Sequence, residues 1–440
     1  MLKRIYYLSS LSVGLQLMIV ATTTVISLSM FVLMPDSFKS KSCGDCEGGY
    51  IIVAKNLIEG KGLVDKNGAI SIARPPGNVL IVVGLLYVQR WLDMSQQKVV
   101  WIFNSLMMAV SAMLILMISR LIWEKQDALF VSYIWLTYPF LLWFINQPYP
   151  EMPYFVASFS TVYVFLLSYR QNTRKYWLYG VIVGVLSPVA MMIKPVGIGI
   201  PIIVILIVMI LHRERLWRER IKFSIAIVSG VFALVLPWSA FVYTNSGKII
   251  FLTDNTVVVN SLVNGVTFAT RGEEYRKQLT LQPRAGWFMR SIETELASAK
   301  ESRFQKQTAT RSQVQEKLNV GDVVDVIAKV TLDDPLGALY LLGTKVVRSW
   351  YGTDSHELED YVLGIQIGYM SLILVSIFVT ARKLFVHKEV LVIVVSLSLY
   401  YWSISVLFEP LVRYLVPALG LWLIVLPGLW VSNSRKSATA

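Results

Sequence analysis

Residues 11–34 read LSVGLQLMIVATTTVISLSMFVLM, and residues 43–77 read CGDCEGGYIIVAKNLIEGKGLVDKNGAISIARPPG. The first stretch is uncharged and exceeds the roughly 20 apolar residues that cross a bilayer as a helix. Lipid offers backbone groups no hydrogen-bond partner, so a span of this kind must be helical. It is too long for the core of a signal peptide and has no small-residue cleavage site, so it reads as a retained anchor. The second stretch then starts just outside the membrane. Two carboxylates, Asp45 and Glu47, come first, and the cation of Arg74-Pro75-Pro76 closes the same loop.

The rest of the chain has the same character. Its 440 residues are 55% hydrophobic and 16% charged, and the mean hydropathy is +0.57. This composition predicts an all-α polytopic membrane protein. Ten spans are expected: Leu11–Met34, Val99–Ser119, Ala128–Ile145, Met152–Tyr169, Tyr176–Ile193, Val196–Leu211, Phe223–Tyr243, Tyr361–Ala381, Glu389–Phe408 and Leu411–Val431. With the N-terminus inside, clusters such as Arg170/Arg174/Lys175 and Arg213/Arg215/Arg218/Arg220/Lys222 all fall on the cytoplasmic side, as the positive-inside rule requires. Both termini are then cytoplasmic. Val79–Leu92, at about fourteen residues, is short for a span and is laid at the outer interface; counting it as a span would turn the basic clusters outward. Three regions follow: a membrane module over 1–243 with its first outer loop at 35–98, an extracytoplasmic and mostly helical cap over 244–360, and C-terminal spans over 361–440.

The net charge of +13 would suggest nucleic acid in a soluble protein. Here the basic residues collar the inner ends of spans, and no nucleic-acid partner is expected. His212, His356 and His387 stand far apart, and no four-ligand zinc pattern is visible. Glycine-rich nucleotide-binding patterns are absent. No acid lies inside a span, which argues against a proton-coupled transporter. The acids lie outside. Glu151 follows Gln147-Pro148-Tyr149-Pro150, either as a helix N-terminal acid or as a second acid facing a shared cavity. Lys194-Pro195 makes an outer hairpin, and Arg413-Tyr414 opens the last span. These cations suit lipid phosphate. Cys43 and Cys46 bracket Asp45 and read either as a short-loop disulfide or as two thiols.

Taken in order, these motifs resemble the GT-C glycosyltransferases of the lipid A aminoarabinose transferase and protein O-mannosyltransferase type. The first outer loop carries an acid, then Tyr50-x-x-x-Ala54-x-x-Leu57-x-x-Gly60-x-Gly62, then Arg74-Pro75-Pro76. Pro150-Glu151, a Gly180–Gly184 span leading to Lys194-Pro195, Pro237-Trp238, and Arg413-Tyr414-x-x-Pro417 follow. Two departures stand out. The position four residues before Tyr50, where the family places its acid, is Cys46, with Asp45 and Glu47 on either side. Phe241-Val242-Tyr243 stands where the family often has a basic residue and an asparagine.

The resemblance implies an inner-membrane enzyme with an extracytoplasmic site and a polyprenyl-phosphate sugar donor. The acceptor is a lipid, a glycan or a protein. It implies an inverting transfer with Asp45 or Glu47 as general base and Glu151 as a further acid. Lys194, Arg413 and Arg74 would hold the donor phosphate, and Tyr50, Tyr149 and Tyr414 would line the substrate. No cofactor is required, although a divalent metal is compatible. The alternatives are a flippase for lipid-linked glycans, or a polymerase or ligase using polyprenyl donors.

Overall fold

A computed structural model describes residues 13–33, 46–145, 148–170, 176–211, 215–267, 283–310, 318–353 and 359–429. Among them the chain is almost entirely helical. The helices are α1 (Val13–Leu33), α2 (Ile52–Ile58), α3 (Gly77–Leu92), α4 (Gln96–Ser119), α5 (Lys125–Leu136), α6 (Pro139–Ile145), α7 (Glu151–Arg170), α8 (Tyr176–Ile193), α9 (Gly199–Leu211) and α10 (Trp217–Ser246). They continue with α11 (Asn255–Thr267), α12 (Pro283–Thr310), α13 (Val320–Asp333), α14 (Pro335–Arg348), α15 (Glu359–Val386), α16 (Lys388–Leu407) and α17 (Val416–Trp422).

Among the described residues, six helices are long and apolar enough to cross a membrane: α4, α7, α8, α10, the Glu359–Thr380 part of α15, and α16. The expected span at Ala128–Ile145 is α5 and α6, bent by 52° at the break between them. Pro139 explains the break, since its ring cannot continue a helix from Leu136. The remaining expected spans fall on shorter apolar helices, Leu17–Met30, Pro195–Leu211 and Val416–Val425. Val79–Leu92 is part of α3. The protein is a multi-pass membrane protein.

The chain forms two compact units. The first comprises Met1–Leu252, Leu372–Leu397 and Pro417–Ala440. Its centre is the contact between α8 and α10. A Cβ on Gly184 would lie 2.5 Å from the Ala226 carbonyl oxygen, and one on Gly230 would lie 2.8 Å from the Gly184 Cα. Only glycine permits this approach of backbone to backbone, the means by which membrane helices pack without a hydrophobic driving force. Beside it, Trp135 is fully buried, edge-on to Phe155 and Phe159, and its Nε1 donates to Ser111 Oγ at 2.9 Å. At the far end of α7, Arg170 meets Glu389 at 3.5 Å and His387 Nδ1 at 3.0 Å.

The second unit comprises Thr253–Ser371 and Ser398–Val416. Its core gathers Val259, Phe288, Ile292, Val323, Val326, Val330 and Leu341 from α11, α12, α13 and α14. Helix α13 starts with a capping box between Asn319 and Asp322, which satisfies two otherwise orphaned N–H groups. Arg348, wholly buried, binds Glu359, and Glu359 also accepts from the Thr353 N–H at 3.0 Å.

Candidate active site

The first unit brings together sequence-distant polar residues at the start of α7 and the end of α8. A residue before proline is pushed out of the helical region, so α8 stops at Ile193 and Lys194 is extended ahead of a 3₁₀ turn, Pro195–Ile198. The chain doubles back tightly there. Gly197 makes the turn possible, because a Cβ would lie 2.8 Å from the Met191 nitrogen. Lys194 therefore faces Glu151, the first residue of α7, and its Nζ donates to Glu151 Oε1 at 2.9 Å. The side chains are 12% and 2% exposed. The same ammonium lies 5.9 Å from the Tyr154 ring centroid, where the negative face of the ring attracts a cation. Glu151 Oε2 is buried and accepts no hydrogen bond. A buried oxygen left without a donor costs free energy, and such a lone pair is well placed to receive a substrate hydroxyl or ammonium.

The start of α3 packs against the end of α8 and the turn ahead of α7. Gly77 starts α3 against the end of α8: a Cβ there would lie 2.8 Å from the Ile193 nitrogen, one residue before Lys194. Asn78, 1% exposed, donates to the Pro148 carbonyl at 3.4 Å and so ties α3 to the turn ahead of Glu151. Tyr149 packs against the cluster of Cys46, Tyr50, Val53, Ala54, Val79, Val82 and Leu86, and meets Phe144 edge-on with ring centroids 6.0 Å apart. Arg74 lies over Tyr50, with its Cζ 4.8 Å from the ring centroid. Gly49 leaves room for that guanidinium, since a Cβ would lie 2.9 Å from Arg74 Nη1. Asn104 Nδ2 bonds the Phe144 and Ile145 carbonyls, both at 3.0 Å, and fixes the end of α6 below the Pro148–Glu151 turn.

Glu151 and Lys194 thus form a direct pair, while Tyr149 and Tyr50 belong to the packing of the segment before α2 with α3, and Arg74 lies over Tyr50. Glu47 is exposed, at the first position of a short π-helical turn, Glu47–Ile51. Asp45 and Cys43 lie outside the described residues. Cys46 is buried and disulfide-bonded. Arg413 and Tyr414 belong to the second unit, where the guanidinium lies 5.4 Å from the tyrosine ring centroid. The motifs did not single out Asn78, Tyr154 or Gly77. Tyr154 carried a usable signal, since at i+3 from Glu151 it shares a helix face with it. Asn78 carried another, as a polar residue in the first turn of an otherwise apolar helix directly after Arg-Pro-Pro-Gly. Among the described residues no group of three or more His, Cys, Asp or Glu gathers to hold a metal ion, and Lys194 already takes up one oxygen of Glu151.

Residues 84–241 match the family model described as dolichyl-phosphate-mannose-protein mannosyltransferase. Among solved structures, the oligosaccharyltransferase of Archaeoglobus fulgidus in complex with Zn and sulfate is 14% identical at a TM-score of 0.53, over 96% of this chain and 50% of that one. The same organism's oligosaccharyltransferase AglB, in complex with an inhibitory peptide and a dolichol-phosphate, gives 13% identity and a TM-score of 0.52, over 96% and 52% of the two chains. ArnT from Cupriavidus metallidurans in the apo state matches at 15% identity and a TM-score of 0.44, over 98% and 79%. No curated protein sequence matches. The chain spans about half the length of the oligosaccharyltransferases. The family match runs from within α3 to α10, and over nearly its whole length the chain shares the fold of the Archaeoglobus fulgidus oligosaccharyltransferases.

Proposed function

We propose that this GT-C-fold membrane protein transfers a sugar from a polyprenyl-phosphate donor to an acceptor on the extracytoplasmic face of the cytoplasmic membrane. The observation that carries this reading is the buried Glu151–Lys194 pair, in which Glu151 Oε2 has no hydrogen-bond donor. The family match favours a lipid-phosphate sugar, and so does the dolichol-phosphate bound to AglB. Nucleotide sugars are not expected outside the cytoplasmic membrane, so an activated sugar must reach that face on a lipid.

In this reading an acid of the first outer loop, Asp45 or Glu47, removes the proton of an acceptor hydroxyl or amine. The acceptor heteroatom attacks the anomeric carbon from the face opposite the phosphate. A new carbon–acceptor bond forms as the carbon–oxygen bond to phosphate breaks, with inversion. Polyprenyl phosphate leaves as an anion, and a positioned cation stabilises its growing charge. Lys194 is the first candidate for that role, with Arg74 of the first loop as a further one. Glu151 holds the ammonium in place through Oε1 and receives an acceptor or sugar hydroxyl at Oε2. Tyr50 and Tyr149 contribute apolar walls. The Glu151–Lys194 pairing favours transfer over flipping, because two buried opposite charges at one end of α7 make a local site and not a path through the membrane. The test is incubation of the full chain with membrane extract and a series of radiolabelled polyprenyl-phosphate sugars. Label should pass to an acceptor with one of them, and the Glu151→Gln variant should lose that transfer. Transfer by no donor of the series, or undiminished transfer by the variant, defeats the reading.

A further inference from the structure

Helix α14 is built inside out. Its exposed face carries Leu336, Leu339, Tyr340, Leu342 and Val347, each between 46% and 61% exposed, with no charge among them. Its buried face carries Gly337, Leu341, Lys345 and Arg348. In water a helix turns its cations outward and its apolar residues inward. Contiguous exposed apolar faces of this kind mark a surface that something apolar covers.

The two buried cations show where this helix lies. Arg348 binds Glu359, the first residue of α15, whose Glu359–Thr380 part is long and apolar enough to cross a membrane. Lys345 Nζ donates at 3.1 Å to the carbonyl of Leu407, the last residue of α16, a helix that is also long and apolar enough to cross a membrane. The start of one span and the end of the next lie at the same membrane surface. Gly265 on α11 closes against the same end, because a Cβ there would lie 3.2 Å from Lys345 Nζ. Helix α14 is therefore strapped at two points to the level where two spans leave the lipid. At 14 residues and ~1.5 Å of rise per residue it is about 21 Å long, too short to cross a bilayer itself.

We infer that α14 is a membrane-surface helix that lays Leu336, Leu339, Tyr340 and Val347 into the bilayer, with lipid as the occupant of its exposed face. Interfacial helices sink an apolar face a few ångströms into the headgroup–acyl boundary. Here the polar side of the amphipathic pattern is satisfied by protein, through Glu359 and the α16 carboxyl end, and not by water. The outcome is independent of whether the protein transfers a sugar.

The test places a nitroxide on the full chain in lipid nanodiscs through Leu339→Cys, with Lys300→Cys on the exposed face of α12 as reference. Tyr340→Cys serves as a second reporter in case the first variant folds poorly. Cys46, buried and disulfide-bonded, does not compete for label. Power-saturation measurements compare relaxation by oxygen, which concentrates in lipid, with relaxation by a water-soluble nickel chelate. The ratio of oxygen to chelate accessibility should be several-fold higher at Leu339 and Tyr340 than at Lys300. Equal access of the chelate to all three positions would put the face in water, and protection of Leu339 from both reagents would put it against protein. Either result overturns the inference.

Discussion

Replacing Lys194 by methionine removes a charge and keeps the unbranched apolar stem that reaches past Tyr154. The consequence follows from burial. The Glu151 side chain is 2% exposed and the Lys194 side chain 12%, and their bond is 2.9 Å long. In the variant Glu151 would have one oxygen that already lacks a donor and a second that has just lost its own. Breaking a buried pair from one side costs about 3–5 kcal/mol, because the surviving charge stays uncompensated. Removing both charges is far less costly, since a pair replaced by groups of similar volume is often close to neutral. Lys194→Met should therefore lower the thermal midpoint measurably, while Lys194→Met combined with Glu151→Gln should recover most of the loss. The coupling between the two substitutions should exceed about 1 kcal/mol, as expected for residues in direct contact. The assay is thermal unfolding of wild type, both single variants and the double variant in one detergent. A Lys194→Met variant as stable as wild type, or a double variant worse than either single one, would refute this account of the pair.

Three other outcomes follow from particular contacts. Gly77→Ala should destabilise by about 1–3 kcal/mol, the usual cost of overpacking, since the new Cβ would press on the Met192 and Ile193 backbone; it should also reduce transfer by moving Lys194, and a variant with unchanged stability and transfer would contradict the packing described. Burial pulls the Lys345 ammonium down to about 7, with Glu409 acting against the shift. Its unfolded value is about 10.4, so between those values the unfolded chain binds the extra proton and stability rises with pH; below about 7 both states are protonated and this contribution is flat. Thermal unfolding of wild type and Lys345→Met at pH 7 and pH 9.5 checks this, and the variant should lose that part of the rise. Finally, Asp45→Asn and Glu47→Gln separate the two candidate bases in the transfer assay. One of them should lose about 10²–10⁴-fold, the usual contribution of a positioned base, and full transfer by both would remove the first loop from the chemistry.

The span pattern was legible because each span is a local property of sequence. An apolar run of sufficient length must be a helix in lipid, wherever its neighbours are, and among the described residues all ten expected runs overlap helices, six of them long and apolar enough to cross a membrane. The bend between α5 and α6 comes from Pro139, which a hydropathy average over the run cannot register. Gly180 and Gly184 were visible as a small-residue motif. Their counterpart Gly230 was not, because the helix pairing is a long-range choice. The same limit applies to the site. Glu151 and Lys194 were each picked out at a span end, yet their bond joins residues 43 apart and depends on α8 stopping at the residue before Pro195. Asn78 and Gly77 act through backbone atoms of Pro148 and Ile193, which no side-chain pattern encodes. In the second unit, Lys345 and Arg348 have helical spacing that suggests an exposed basic stripe. Their burial comes from the ends of α15 and α16, which lie later in the chain.

The most direct measurement is release of free polyprenyl phosphate by the full chain in nanodiscs, given an acceptor-containing membrane fraction and the sugar donor identified by labelling. Wild type should release polyprenyl phosphate in step with acceptor labelling, and Lys194→Met should do so about 10²–10³-fold more slowly, the scale on which one donor to a developing oxyanion acts. Wild-type release that needs no acceptor, or a Lys194→Met variant that keeps pace with wild type, would contradict a sugar-transfer site centred on the Glu151–Lys194 pair.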